Sequence, residues 1–194
     1  MLIHITETQK KVLELLKQKK NLPEWIELRR RIKDDIMANA WSEKRQAYTQ
    51  AYGSEEMDSS VLLMENYGFI EGSNPRYIST VDAIRNDLEY KGLLFRYKNA
   101  DDFGQPKSAF TICSFWLVNA LIKTGRNVEA RKKFEELLSY SNHLGLFSED
   151  IDFETKELLG NFPQAYSHLA LIETAINLSD GEKTDEEILL DVIH

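Results

Sequence analysis

Ala109-Phe110-Thr111-Ile112-Cys113-Ser114-Phe115-Trp116-Leu117-Val118-Asn119-Ala120-Leu121-Ile122-Lys123-Thr124 is apolar nearly all round a helical wheel. A helix of that kind belongs at the centre of a protein rather than on its surface. Gly125 supplies a C-terminal stop, and Asn127 to about Ser141 then carries apolar residues on one face only. The pair reads as an antiparallel hairpin with its first helix innermost. Elsewhere apolar residues also return mostly at helical spacing, and Val, Ile and Thr are not gathered into alternating runs, so the fold class is all-α.

Working outward, the spacing predicts a helix from about Thr6 to Lys19. Pro23 opens a second, whose stripe of Trp25, Leu28, Ile32, Ile36 and Met37 reads as core, with Trp41 at its end. Tyr48 to Ser54 reads as extended chain turning at Gly53. Asp58 or Ser59 then caps a short helix through Val61, Leu62, Leu63 and Met64 that ends at Gly68. A further helix starts near Pro75 and runs through Ile78, Val81, Ile84 and Leu88 to a break at Gly92. Leu93 to Tyr97 reads as extended, and Lys98 to Ser108 as a rim loop of turn-forming residues. Phe162 to Leu178 is the last long amphipathic helix, followed by an acidic segment, Asp185 to Ile193. No Pro- or Ser-rich linker divides the chain, and residues 1–194 are expected to form a single domain.

With 194 residues, 42% of them hydrophobic and 29% charged, the chain can bury a sizeable core. A net charge of −8 repels phosphate backbones and anionic lipid, which argues against nucleic acid or membrane as partners. The first twenty residues hold no apolar core of signal-peptide length, so a soluble, cytoplasmic location is expected. Cys113 is the one cysteine and sits in an apolar run, where a buried inert thiol is the reading. His4, His143, His168 and His194 are scattered without metal-ligand spacing, so no metal is expected. His168, beside apolar neighbours on a helix face, reads as a hydrogen-bonded core residue. The glycines stand singly, without a nucleophile elbow or a phosphate loop, which removes acyl transfer and nucleotide-driven chemistry.

Carboxylates remain. In Leu146-Phe147-Ser148-Glu149-Asp150-Ile151-Asp152, acidic residues lie between an apolar helix end and the next apolar helix, which begins after Leu159-Gly160-Asn161-Phe162-Pro163-Gln164-Ala165-Tyr166-Ser167-His168. Read by itself, Glu149 is either a surface-loop charge or a carboxylate presented at the mouth of a helical bundle, where it can activate a water. A competing reading of the whole chain starts from Gly125-Arg126-Asn127-Val128-Glu129-Ala130-Arg131 leading to Phe134, which has tetratricopeptide character and fits a non-catalytic helical interaction module. Shifting the sequence by the ~34-residue period of that repeat aligns no matching positions.

Trp25-Ile26-Glu27-Leu28-Arg29 with Ile32, Tyr52-Gly53-Ser54-Glu55-Glu56-Met57-Asp58-Ser59-Ser60, Gly92-Leu93-Leu94-Phe95-Arg96-Tyr97, Phe110 to Val118, and the two segments around Glu149 and Asn161 form an ordered series. In order and approximate spacing the series resembles glycoside hydrolase family 15, which includes glucoamylases, glucodextranases and some bacterial trehalases. The resemblance runs from about Trp25 to Leu178. It implies an (α/α)6 toroid, of which this chain supplies about half as the C-terminal portion of a glucoamylase-like catalytic domain. It also implies inverting hydrolysis of terminal glucosidic bonds by paired carboxyl groups about 6.5–9.5 Å apart.

By the same resemblance Glu149 matches the general base, Arg96 a pocket arginine that hydrogen-bonds sugar hydroxyls, and Tyr97 or Phe110 part of the pocket wall. Structural readings stand beside these: an ion pair for Arg96, core packing for Phe110, and turn and cap roles for Tyr52 and Asp58. The family's general acid lies too far before the base to fit ahead of position 149. The chain alone is therefore expected to be inactive, and its expected partners are an oligosaccharide or glucoside and the N-terminal half of the same enzyme. Apolar faces at the toroid's cut edges add an expectation of self-association. Lys107-Ser108 departs from the acidic residue and glycine that family members often carry there. No cofactor is implied.

Overall fold

The computed structural model of the chain describes residues 22–100, 102 and 104–180. The helix expected from Thr6 to Lys19 and the segment Asp185 to Ile193 lie outside the described residues. Helix α1 (Leu22–Asn39) leads into a tight hairpin, β1 (Trp41–Ser42) with β2 (Ala47–Tyr48), in which Trp41 faces Tyr48 and their rings meet edge-on at 5.2 Å. A 3-10 helix follows over Ser59–Met64, then α2 (Pro75–Leu88). A second hairpin pairs β3 (Glu89–Tyr90) with β4 (Leu93–Leu94). Strand β5 (Ala109–Phe110) runs into α3 (Thr111–Lys123), and α4 (Asn127–Leu138) follows. Strands β6 (Asp150–Ile151) and β7 (Leu158–Leu159) complete a three-stranded antiparallel ladder in the order β5-β6-β7, before α5 (Ala165–Asp180).

Helix α3 is the hub that its all-round apolar sequence predicts. It packs against α5, α4, the 3-10 helix and α2, and buries Thr111, Cys113, Ser114, Phe115, Leu117, Val118, Asn119, Ala120 and Leu121. Burying a side chain the size of Phe115 contributes about 1.5–3 kcal/mol. Helix α2 lays Tyr77, Val81, Ile84 and Leu88 on the same core. Its start is fixed by Pro75 in the first turn and by Asn74, whose side chain accepts from the Arg76 amide at 2.9 Å. Gly72 lies against the end of α3, where a Cβ would stand 2.0 Å from the Lys123 carbonyl oxygen, so no larger residue fits.

One ion cluster is built into this frame. Lys133, only 7% exposed, donates to Glu89 Oε1 at 2.6 Å and to the Gly92 carbonyl at 3.2 Å. Arg85 donates to Glu89 Oε2 at 2.8 Å and also pairs with Glu129. Burial would raise the Glu89 carboxyl, but Lys133 and Arg85 together hold it below the ordinary carboxylate range.

The structure departs from the periodicity in four places. Ala109 and Phe110 leave the expected helix for β5 because their backbones pair with Ile151 and Asp150. The last helix begins at Ala165 instead of Phe162. Residues 161–164, which include a cis Phe162-Pro163 bond, run alongside 147–149: Glu149 N–H donates to Asn161 O and Gln164 N–H to Phe147 O, each at 2.9 Å. The short helix after Asp58 is 3-10 in type; Asp58 caps it by accepting from Ser60 N–H at 2.6 Å. On α1 only Ile32, Ile36 and Met37 pack on the core, while Ile26 and Leu28 are each 46% exposed. Of the stripe read as continuous core, Trp25 is half-buried and Leu28 is exposed, so the stripe meets the core only toward its C-terminal end.

Candidate functional site

The residues around Glu149 are held from both sides. Phe147 is buried, with its ring edge-on to Phe115 at 5.6 Å and near His168 at 6.1 Å. The Phe147 amide donates to His168 Nε2 at 3.3 Å, and His168 Nδ1 lies 2.7 Å from the Gln164 carbonyl. A carbonyl can only accept, so the ring proton sits on Nδ1. The sequence reading of His168 as a hydrogen-bonded packing residue agrees with this arrangement. Ser167 Oγ donates to the Ser148 carbonyl at 2.8 Å, and Ser148 Oγ donates to the carbonyl of Asp150. The first turn of α5 thus clamps the two residues that precede Glu149.

Glu149 itself is pinned through its backbone, with its N–H on the Asn161 carbonyl and its carbonyl accepting from Thr111 N–H, both at 2.9 Å. Its half-buried side chain is engaged on one oxygen: Oε2 accepts from Asn161 Nδ2 at 2.8 Å and from Asn161 N–H at 3.2 Å. Oε1 accepts nothing from another described residue. Gly160, at φ +74°, packs so closely that a Cβ there would lie 3.0 Å from Oε2 and 3.1 Å from Glu149 Cβ.

The two acidic neighbours occupy different environments. Burial raises the Asp150 carboxyl above its ordinary range; the hydroxyl of Ser108, donating at 2.7 Å, opposes that rise and the adjacent Glu149 adds to it. Asp152 is held below its ordinary range by the amides of Thr155 and Glu154, which it caps at 2.8 and 2.7 Å. Asp150 is also half-buried and bonded through one oxygen only, to the Ser108 hydroxyl, so what sets Glu149 apart is that both of its donors come from Asn161 and fall on Oε2.

Arg96 lies in a separate opening. Its Nε donates to Asp58 Oδ1 at 2.7 Å, and its guanidinium stands 5.7 Å from the centre of the Trp116 ring. Asp58 is buried, so the pair is well shielded. Arg96 and Trp116 line a cleft of about 690 Å³ whose other walls include Ile32, Ile36, Tyr48 and Tyr67. A second cleft of about 440 Å³ shares Leu63, Tyr67 and Trp116 with the first and continues past Ile112 to Tyr166 and Leu169. The two form one trough beside α3.

The candidates named from sequence therefore fall into two groups. Glu149 adjoins the β5–β6 ladder, in which Phe110 pairs with Asp150 and packs on the core. Arg96 faces the trough, and Tyr97 is half-buried beside it in sequence. Glu149, Tyr97 and Phe110 line neither cleft. Helix α3 links the groups, with Thr111 bonded to Glu149 and Trp116, five residues on, facing Arg96. Tyr52 donates to Asp35 on the surface at 2.7 Å. The burial of Cys113 pushes its thiol well above the ordinary range, as an inert thiol requires. No described helix is long and apolar enough to cross a membrane.

Sequence reasoning missed Trp116 and Asn161 as site residues. The first looked like one more apolar residue of the central helix, and the second like the polar half of a Gly-Asn turn.

Comparison with known proteins bears on the family and the fold. The family model for "Glycosyl hydrolases family 15" matches residues 9–176. A trehalase from Mycolicibacterium smegmatis is 38% identical over 176 residues, 89% of this chain and 26% of the relative. A trehalase from Thermoplasma acidophilum is 36% identical over 161 residues, 82% of this chain and 28% of the relative. The chain thus spans about a quarter of the length of these curated relatives. Among solved structures, a wild-type glycosidase superposes with a TM-score of 0.70 at 18% identity, covering 84% of this chain and 46% of that one. A glycosidase variant in complex with glucose gives 0.72 at 17% identity, with the same coverage. At such identities the likeness bears on the fold, which is about half of an (α/α)6 toroid.

Proposed function

Because the chain belongs to the glycosyl hydrolases of family 15, we propose that it forms one side of the catalytic centre of an inverting glucosidase, with Glu149 as the general base. The observation that carries this reading is the division of labour on the Glu149 carboxylate. Oε2 takes both hydrogen bonds from Asn161, and no described residue donates to Oε1, which can accept a proton. In the reaction, Oε1 removes a proton from a water as its oxygen attacks the anomeric carbon; a general acid protonates the glycosidic oxygen as the C–O bond breaks. The acid belongs to a part of the catalytic domain outside this chain, which fits a segment that spans about a quarter of its relatives.

Arg96 and Trp116 are the candidate sugar contacts on the trough side. A guanidinium grips hydroxyls, and an indole face covers apolar C–H patches. Since the relatives that match are named trehalases, trehalose comes before starch-type glucans as the substrate to test. The tetratricopeptide-like alternative loses ground to a family match that spans most of the chain.

The remainder of the toroid is the proposed partner. On α5, Tyr166, Leu169, Ile172 and Ile176 recur at helical spacing and are each more than half exposed, and Ile26 and Leu28 are bare on α1. These edges suit the missing helices, and in their absence they drive self-association.

The test is hydrolysis of trehalose by the native polypeptide that carries this segment. Inversion at one end of its α,α-linkage releases one β- and one α-glucose, which NMR resolves in the first minutes. Glu149→Gln should abolish the burst of β-anomer. Equal early amounts of product from wild type and variant would sink the assignment.

A further inference from the structure

Resting on the assignment of Glu149 as the base, we propose that Asn161 is its positioning residue, holding Oε2 so that Oε1 alone is presented to water. Three hydrogen bonds join the two residues: Glu149 N–H to Asn161 O at 2.9 Å, Asn161 N–H to Oε2 at 3.2 Å, and Asn161 Nδ2 to Oε2 at 2.8 Å. Both side-chain bonds fall on the same oxygen, so rotating the carboxylate to exchange its oxygens would break two bonds at once. The end of a glutamate is otherwise a broad, weakly restrained rotor.

Gly160 makes the arrangement possible. Its left-handed backbone turns the Asn161 amide and side chain back onto Glu149, and its missing Cβ leaves the space that Oε2 and Glu149 Cβ occupy. The donors are also of the right kind. Two neutral N–H groups orient the carboxylate without adding a counter-charge beside it. Asn161 is exposed, so it contributes little packing, and its distinguishing property is this set of contacts.

The experiment has two arms. On the 194-residue chain, the side-chain amide resonances of Asn161 are followed by ¹H–¹⁵N NMR from about pH 7 to about pH 3, across the carboxylate range. They should move as the carboxylate takes its proton and stay still in Glu149→Gln. No movement in wild type, or the same movement in the variant, overturns the contact. In the second arm, trehalose hydrolysis by the native polypeptide is compared across variants. Asn161→Ala should lower kcat by roughly 10–100-fold, part of what general base catalysis supplies, with KM changed less than about twofold. Asn161→Asp, of equal size but repelling, should lower it further. In the Glu149→Gln background neither change should cost more, whereas a merely structural role would give additive losses.

If Glu149→Gln is impaired while Asn161→Ala and Asn161→Ser keep full kcat, the positioning role is overturned and the base stands. If Glu149→Gln itself keeps full kcat, or the wild-type polypeptide does not hydrolyse trehalose, the reading beneath the proposal fails, and the NMR arm still judges the contact.

Discussion

Glu89 and Glu149 are both partly buried glutamates whose carboxylates accept two hydrogen bonds each, and the donors are placed in opposite ways. At Glu89 each oxygen has its own cation: Lys133 lies 2.6 Å from Oε1, and Arg85 lies 2.8 Å from Oε2. The charge is neutralised on both sides, and the carboxyl is held down where no proton reaches it at neutral pH. At Glu149 the donors are neutral and both fall on Oε2. A carboxylate that ties α2 to α4 needs both oxygens occupied. One that is to take a proton from water needs one oxygen fixed and the other open. The placement of donors separates the two residues and suits the role proposed for Glu149, because the residue type and the approximate burial are the same.

The sharpest way to break this comparison is to remove each charge in turn. Glu149→Gln should lower kcat on trehalose by about 10²–10⁴-fold in the native polypeptide while leaving the thermal midpoint nearly unchanged, since a glutamine can still accept from Asn161. Comparable loss of stability and activity would assign Glu149 a structural role.

Glu89→Ala should do the reverse. Leaving Lys133 buried and unpaired is expected to cost about 3 kcal/mol in urea denaturation. The pH dependence has a definite sign. A carboxyl held below its unfolded value contributes stability that is present above the ordinary carboxylate range and is lost as pH falls through the lower folded value. The gap between wild type and variant should therefore narrow in acid, and a gap independent of pH down to about 3 would mean that the ion pairs contribute nothing.

Gly160→Ala sharpens the comparison from the backbone side. A left-handed alanine costs about 1–2 kcal/mol, and its methyl would press on Glu149 Oε2 and Cβ. Activity should fall further than that stability loss accounts for, when both are measured on one preparation.

The smallest effect is expected at Asp150. Its carboxyl is raised by burial, with Ser108 opposing and Glu149 adding, so the folded state binds that proton more tightly than the unfolded chain does. Ionisation then subtracts stability above the ordinary range, and the penalty fades as pH falls. Asp150→Asn, which keeps an acceptor for Ser108, should raise the neutral-pH midpoint by about 1–2 °C and make no difference near pH 3.

Much of the frame was legible before the structure. The all-round apolar run of α3, the Pro75 start of α2, the Asp58 cap and the Gly125 stop each depend on neighbours within one or two turns, and each appears where the sequence places it. The resemblance to family 15, carried by short landmarks in order, also emerged from the sequence, as did Glu149 as the residue to watch. What failed was the reading of faces. Leu28 on the α1 stripe is exposed where periodicity predicts core, because periodicity reports that a face is apolar but not whether anything covers all of it. Ala109 and Phe110 were extended into the helix because their pairing with Ile151 and Asp150 joins residues some forty positions apart.

The sequence by itself determined the helical class, most element starts and stops and the family, and it singled out Glu149 as the carboxylate to test. Tertiary structure alone decided which oxygen of Glu149 is held, that Arg96 pairs with Asp58 and faces Trp116, and that the ladder adjoining Glu149 and the trough carrying Arg96 are separate places joined by α3. The physical reason is range. Caps, turns and amphipathic periods are short-range terms written into neighbouring residues, whereas the donors that distinguish a proton acceptor from a structural anion come from elements that meet only once the core has formed.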